Sequence, residues 1–365
     1  MLKSKIGTVE AIMLVLTIII VHTILSLPRD IVSAQKSASL LNLFYVSIIS
    51  IIITLIVYKL FKNFPGLDIL DISEIVGGKI FRNIVGIIFI TYFIFTASLL
   101  LRNFCDSIKV IYYPMTNIFF IILLFIIALC VANRLDFSAT LKTNLLIIPL
   151  VLGSILFLFL SNMQNFVPQR IFPIFGEGIF NTFVLGLTNL ASFGGIAFLY
   201  FLPPLLKEPE KFKKISLIST LVSAIYLLLC VATLLFIFPF FMKTNEITPL
   251  YNATRYIEFG RFFQRLDSIF LLIWILVFAC YLSIVSKFAM NMLKKILNIS
   301  TKKPLIDIFA LLILALALLP KNLAISQNFE SNIYPYLVIS IVFCLGLGIL
   351  IFANLAKRRE QKING

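Results

Sequence analysis

The sequence predicts an all-α polytopic membrane protein with ten transmembrane helices, on three observations. Hydrophobic residues make up 61% of the 365 positions and the mean hydropathy is +1.06, whereas a soluble domain is only about half apolar. Apolar runs of about 20 residues recur along the whole chain, each long enough to cross a hydrocarbon core roughly 30 Å thick. These runs are solid blocks without the short alternating pattern of strands, which excludes an outer-membrane barrel. The net charge of +15 is spread over the loops and forms no single block. It therefore reads as a topology signal and not as a nucleic-acid surface.

The first span, 8–28, ends within "IIIVHTILSLPRDI" (18–31) and holds the chain's one histidine, His22. It runs too long before Pro28 and lacks a small-residue cleavage site, so it reads as a retained span and not a signal peptide. A second span covers 40–60. "FPGLDILDISEIVGGKIF" (64–81) reads as a short helix on the inner side, ended by Gly77-Gly78 ahead of the third span, 83–103. Arg102, Asp106 and Lys109 follow at i, i+4 and i+3 spacing, as a local ion-pair ladder at a helix end. Spans 116–133 and 142–161 complete a first group of five.

The sixth span, 180–203, contains "NLASFGGIAFLYFLPP" with Ser192, Phe193 and the pair Gly194-Gly195 well inside the apolar run. Two adjacent glycines cost a helix about 2 kcal/mol relative to alanine. Such a break is tolerated where it lines a cavity, and the same glycines would equally serve close helix packing. Span seven is 215–241. The stretch that follows, about 242–266, mixes Tyr251, Ile257, Phe259, Phe262 and Phe263 with Arg255, Arg261 and Arg265, as a helix on the headgroup surface does. It reads as an ordered interfacial connector or as a docking surface for an extracellular partner. Spans 267–290, 304–320 and 333–355 finish the set, ahead of a basic tail at 357–365.

Of the 31 Lys and Arg residues, 21 fall on the side of the two termini and 10 on the other. The positive-inside rule thus places both termini in the cytoplasm. The chain reads as a single transmembrane domain divided five plus five, with residues 1–165 as one repeat and 175–356 as a second, inverted one. Inverted repeats place a binding site at mid-membrane, where the first helix of each repeat is interrupted. Span six has its glycines, and Thr23, Ser26 and Pro28 mark where span one would unwind.

The five cysteines show no CxxC and no metal-like spacing, and read as small buried hydrophobes. One histidine, no GxSxG, no P-loop and no nucleotide fingerprint argue against an enzyme, and no cofactor is expected.

The chain resembles the B-type permease subunits of spore germinant receptors, within the amino acid/polyamine/organocation transporter superfamily. The resemblance is carried by "FGRFFQRLDSIFLLIWILVFACYLSIVSKFAMNMLKKILNIS" (259–300), with its Arg-x-Asp-Ser opening, internal Trp and Lys-Lys exit. "FLPPLLKEPEKFKK" after span six and "LSLPRDI" after span one add to it. It implies a LeuT-type fold and a nutrient-sensing role in the inner membrane of dormant spores. It also implies partners, a larger A-type membrane subunit and a C-type lipoprotein. Two departures touch the expected pocket: Val21-His22-Thr23 stands where the family often has small, Gly-containing sequence, and Ala197 where it often has Glu.

On that reading the ligand is a small nutrient, an amino acid by expectation. Its carboxylate would meet free amides around Ser192, Phe193, Gly194 and Gly195, and its ammonium the carbonyls near Val21, His22 and Thr23. Thr91, Tyr92, Phe95 and Thr96 from span three and Cys280, Tyr281 and Ser283 from span eight would supply the walls. His22 either contacts ligand as a neutral imidazole or packs against a neighbouring span. The central part of every span reads as free of Asp and Glu, which favours sensing over coupled transport. An amino-acid permease of the same fold and a scaffold with a degenerate pocket stay as alternatives.

Overall fold

The computed structural model describes residues 5–24, 27–239, 249–257, 266–299 and 303–363. Among them the secondary structure is helical, apart from one parallel bridge between Ile6 and Leu206. In chain order the α-helices are α1 (Thr8–Ile24), α2 (Leu27–Gln35), α3 (Ser39–Phe61), α4 (Ile69–Tyr112), α5 (Ile118–Arg134), α6 (Phe137–Ser161) and α7 (Ile179–Phe183). A 3-10 segment, Leu185–Tyr200, follows, then α8 (Phe212–Ile237), α9 (Pro249–Arg255), α10 (Leu266–Leu297), α11 (Lys303–Leu318) and α12 (Leu323–Asn328). The last stretch continues through π-wound turns at Phe329–Ile333 and Val338–Gly346, around α13 (Tyr334–Leu337), into α14 (Leu347–Ile363).

Seven of these helical stretches are long and apolar enough to cross a membrane, and three shorter apolar helices lie at Thr8–His22, Ile118–Arg134 and Pro304–Leu318. Every predicted span overlaps one of the ten. Large apolar side chains such as Leu124, Leu146 and Ile80 stand exposed on the outside of the bundle, as expected of surface that meets lipid.

The two segments of most interest occupy the middle. Leu14 to His22 of α1 and Ala191 to Tyr200 of the 3-10 segment are all buried. α1 packs against α6, α8, α10 and the 3-10 segment. Lipid tails are as apolar as leucine, so close packing and polar cross-links hold such a bundle together, not expulsion of water. The cross-links are explicit. Thr17 donates to Asn144 at 2.7 Å, joining α1 to α6. Asn42 of α3 donates to the carbonyl of Thr182 at 2.7 Å, beside the 3-10 segment. Asn133 of α5 holds Ser286 at 2.7 Å and accepts from Ser283 at 2.9 Å, both on α10.

Gly77-Gly78 breaks its helix as the sequence predicts. Both residues leave helical geometry, and Gly78 has φ +73°, a conformation that costs glycine little and other residues much. The short helix before them begins at Ile69 instead of 64, because Asp68 caps it. The Asp68 carboxylate accepts from the Leu70 and Asp71 amides at 2.9 and 3.0 Å and receives Lys295 of α10 at 2.7 Å. Asp68→Ala removes a cap worth about 1 kcal/mol and one of two partners of a buried ammonium. We expect a loss of about 2–3 kcal/mol, read by thermal unfolding in detergent. A loss no larger than that of Asp136→Ala, an N-cap with no side-chain hydrogen bond, would refute this role.

One sequence reading is corrected. The ladder expected at an outer helix end is buried inside the bundle, since α4 runs on to Tyr112. Arg102 and Asp106 pair at 2.8 Å with side-chain exposures of 5% and 8%. A buried acid also lies near the start of the last long apolar stretch, ahead of the predicted tenth span, whose central part carries no Asp or Glu. Glu330 is 5% exposed and accepts from Asn103, which in turn accepts from Ser326. Hydropathy marks a span's end at its first polar cluster. These polar groups pair with one another, so the helices continue into them.

The connector after α8 is described only at 249–257. There Tyr251 and Ile257 are buried instead of surface-lying, and Tyr251 donates to Asp267 at 2.7 Å. Phe259, Arg261, Phe262, Phe263 and Arg265 lie outside the described residues, as does Ser26; of the other two residues predicted to mark the unwinding of span one, Thr23 lies in α1 and Pro28 in α2.

Candidate functional site

The 3-10 segment is long for its kind. Such winding rarely persists beyond three or four residues, and within a helix it marks a hinge or a strained sequence. Its backbone leaves helical geometry at Phe193 (φ −102°, ψ 21°), the residue before the glycine pair. The sequence supports this locally, because Gly194 and Gly195 bring no side chain that would have to fit against the neighbouring helices.

Those neighbours are close. A Cβ on Gly194 would stand 2.7 Å from the Tyr334 hydroxyl and 3.1 Å from the Tyr92 hydroxyl. A Cβ on Gly195 would stand 2.5 Å from Ile19 Cγ1 and 3.1 Å from the Ile19 backbone nitrogen. Gly194 thus faces the tyrosines of α4 and α13, and Gly195 faces the backbone of α1.

His22, in the last turn of α1, joins the same group. Its ring stacks on Tyr334 with centroids 5.0 Å apart and meets Tyr281 edge-on at 6.1 Å. Its Nε2 lies 3.4 Å from the Tyr334 hydroxyl, and its Nδ1 is buried with no hydrogen-bond partner among the described residues. His22, Tyr92 and Tyr281 surround a cavity of about 10 Å³, lined also by Thr96, Gly194 and Gly195, with an apolar floor that includes Phe93 and Phe198. That is room for about one water-sized molecule. A nutrient-sized ligand enters only if the aromatic lining parts.

The lining carries no formal charge. It offers hydroxyls that donate or accept, an imidazole nitrogen and apolar walls. That chemistry suits a small polar molecule, held by hydrogen bonds in a setting where each bond is stronger for the absence of water.

Of the sequence-predicted residues, the structure brings His22, Tyr92, Thr96, Gly194, Gly195 and Tyr281 to this cavity. Val21, Ser192, Phe193 and Cys280 are buried nearby without lining it. Ser283 is engaged with Asn133 instead. Thr91 is exposed on the outer surface of α4 and Phe95 is half-buried. The Thr23 side chain lies outside the described residues. Ile18, Phe93, Phe198 and Val285 line the cavity without having been singled out, and Tyr334 stands beside it, against His22 and Gly194. Ile18 and Val285 stand four positions from His22 and Tyr281, and helical i, i+4 spacing puts them on the same face. Tyr334 opens the predicted tenth span amid polar residues and carries no comparable signal.

Residues 5–325 match the family described as "Spore germination protein". The chain is similar to "Spore germination protein YndE" of Bacillus subtilis (strain 168), 24% identical over 98% of this chain and 99% of that protein. It is also similar to "Spore germination protein A2" of the same organism, 29% identical over 77% of this chain and 76% of that protein.

Proposed function

The chain belongs to the spore germination permease family, a non-enzymatic family of receptors and permeases, and from that premise we propose that it is the nutrient-sensing membrane subunit of a germinant receptor. On this reading it has ten spans in a LeuT-type five-plus-five inverted repeat, with both termini cytoplasmic, in the inner membrane of the spore. A small nutrient, an amino acid by expectation, binds between spans one and six and shifts a conformational equilibrium. A larger A-type membrane subunit and a C-type lipoprotein read that shift out and start germination.

One observation carries the reading. His22 from α1, the Phe193–Gly195 break, Tyr92 from α4 and Tyr281 from α10 meet at one cavity in the centre of the bundle. Inverted-repeat transporters keep their substrate site where interrupted helices meet, and the break at Phe193 supports one such interruption. The cavity's small size fits a sensor resting in a closed state, in which bound nutrient stabilises a more open one.

The test is complementation. Spores deleted for this gene and carrying His22→Ala or Tyr334→Phe are exposed to a panel of amino acids and other small nutrients. Normal amounts of protein with a changed nutrient preference, or at least a tenfold loss of sensitivity, are expected for His22→Ala. Unchanged specificity and sensitivity in both variants would return the two residues to a packing role.

Glu330 favours a second reading, an amino-acid permease of the same fold. A buried acid in a membrane helix is a recurrent ion- or proton-coupling device, and Tyr334 follows it one turn later on the way to the cavity. Robust uptake of a labelled amino acid by this chain alone in vesicles would select the permease.

A further inference from the structure

A second cavity, of about 350 Å³, lies at the end of the bundle that carries the chain's N-terminus, between the end of α3 and the start of α8. Its walls are the aromatic rings of Tyr58, Phe61, Phe64 and Phe212, and Lys62 and Glu210 stand among its lining. Two more ammonium groups sit over its walls: Lys213 lies 5.9 Å from the Tyr58 ring centre and Lys357 5.0 Å from that of Phe64. Three cations therefore gather at this cavity against one carboxylate. It opens at the level where two apolar helices end, and both carry exposed large apolar residues further along, Ile52 and Leu55 on α3 and Leu221 and Ile225 on α8.

We propose that this cavity is a binding site for one anionic glycerophospholipid, its phosphate held by Lys62 and Lys213 and its glycerol end seated on the aromatic walls. The charge excess selects an anion. Apolar walls in a cavity of ligand-site size select one with an attached hydrocarbon body, which free phosphate lacks. Basic pockets between helices at the inner surface bind anionic headgroups by the same physics. The site is independent of the nutrient cavity and of the function proposed for it.

The experiment uses the full-length protein in detergent, with retention of palmitoyl-oleoyl phosphatidylglycerol and the matching phosphatidylethanolamine read by native mass spectrometry. Phosphatidylglycerol is expected to be retained in preference. The double variant Lys62→Ala with Lys213→Ala should lower that retention roughly tenfold, whereas Lys62→Arg should keep it. Lys142→Ala, an exposed lysine elsewhere, should also leave retention unchanged. Both substituted lysines are exposed, and thermal unfolding checks that the double variant stays folded. Equal retention of the two lipids, a double variant equal to wild type, or displacement of the lipid by millimolar inorganic phosphate would each overturn the proposal. The first two outcomes would leave a protein segment as the better occupant.

Discussion

Gly195→Ala is expected to strip most of the protein from the spore membrane, whereas Gly194→Ala should leave the protein in place and blunt its response to nutrient. The two glycines are neighbours, yet they face different kinds of matter. The Cβ added at Gly195 runs into Ile19, including its backbone nitrogen at 3.1 Å. A backbone moves only with its helix, so α1 and the 3-10 segment must separate. Overpacking of this kind costs about 1–3 kcal/mol when the core can adjust and more when it resists. At Gly194 the nearest atoms are the Tyr334 and Tyr92 hydroxyls, the far ends of side chains that can swing. Their displacement disturbs the cavity without prising helices apart. Immunoblots of spore membranes and germination curves in response to a nutrient panel separate the outcomes. Equal abundance of the two variants would sink the distinction.

Arg102→Leu should destabilise the protein by about 3–5 kcal/mol, the usual cost of leaving a buried charge without its partner. Arg102 pairs with Asp106 at 2.8 Å, both nearly inaccessible, and also donates to the Ala317 carbonyl of α11 at 3.3 Å. Removing the cation leaves the buried carboxylate without its hydrogen-bonded partner, with Lys109 as the remaining counter-charge. Replacing both residues, Arg102→Leu with Asp106→Leu, removes the desolvation penalty along with the attraction, and such paired replacements are often neutral. The double variant is therefore expected to recover most of the stability lost by the single one. Thermal unfolding in detergent measures both. A double variant as unstable as the single would mean that the pair does more than neutralise itself.

The spans were legible in the sequence because membrane helices are written in composition: a long apolar run is a helix that satisfies its own backbone. The glycine pair was legible as a break for the same reason that it is one, and His22 stood out as the only imidazole in the chain. Span ends were harder to read. Arg102 and Asp106 read as a helix end because hydropathy scores each residue alone and does not see that the two neutralise each other on one helix, while the partner of Glu330 comes from another helix. Asn103 reaches Glu330 across 227 positions. Tyr334 was missed likewise: its value lies in meeting His22, 312 residues away. Thr91 was over-read, since alternate faces of one helix meet lipid and protein and no span reveals by itself which face turns inward.

The parallel bridge at Ile6 has a mechanical consequence. The Ile6 amide donates to the Leu205 carbonyl at 2.7 Å, and the Lys207 amide donates to the Ile6 carbonyl at 3.0 Å. The start of α1 is thereby fastened to the chain just beyond the 3-10 segment, so the two central elements share a pivot at that end. His22 sits sixteen residues beyond Ile6, a lever of about 24 Å at the rise of an α-helix. Tilting α1 by about 5° around the fastening would carry His22 through about 2 Å, on the scale of the contacts that now close the cavity. Ile6 itself would hardly stir.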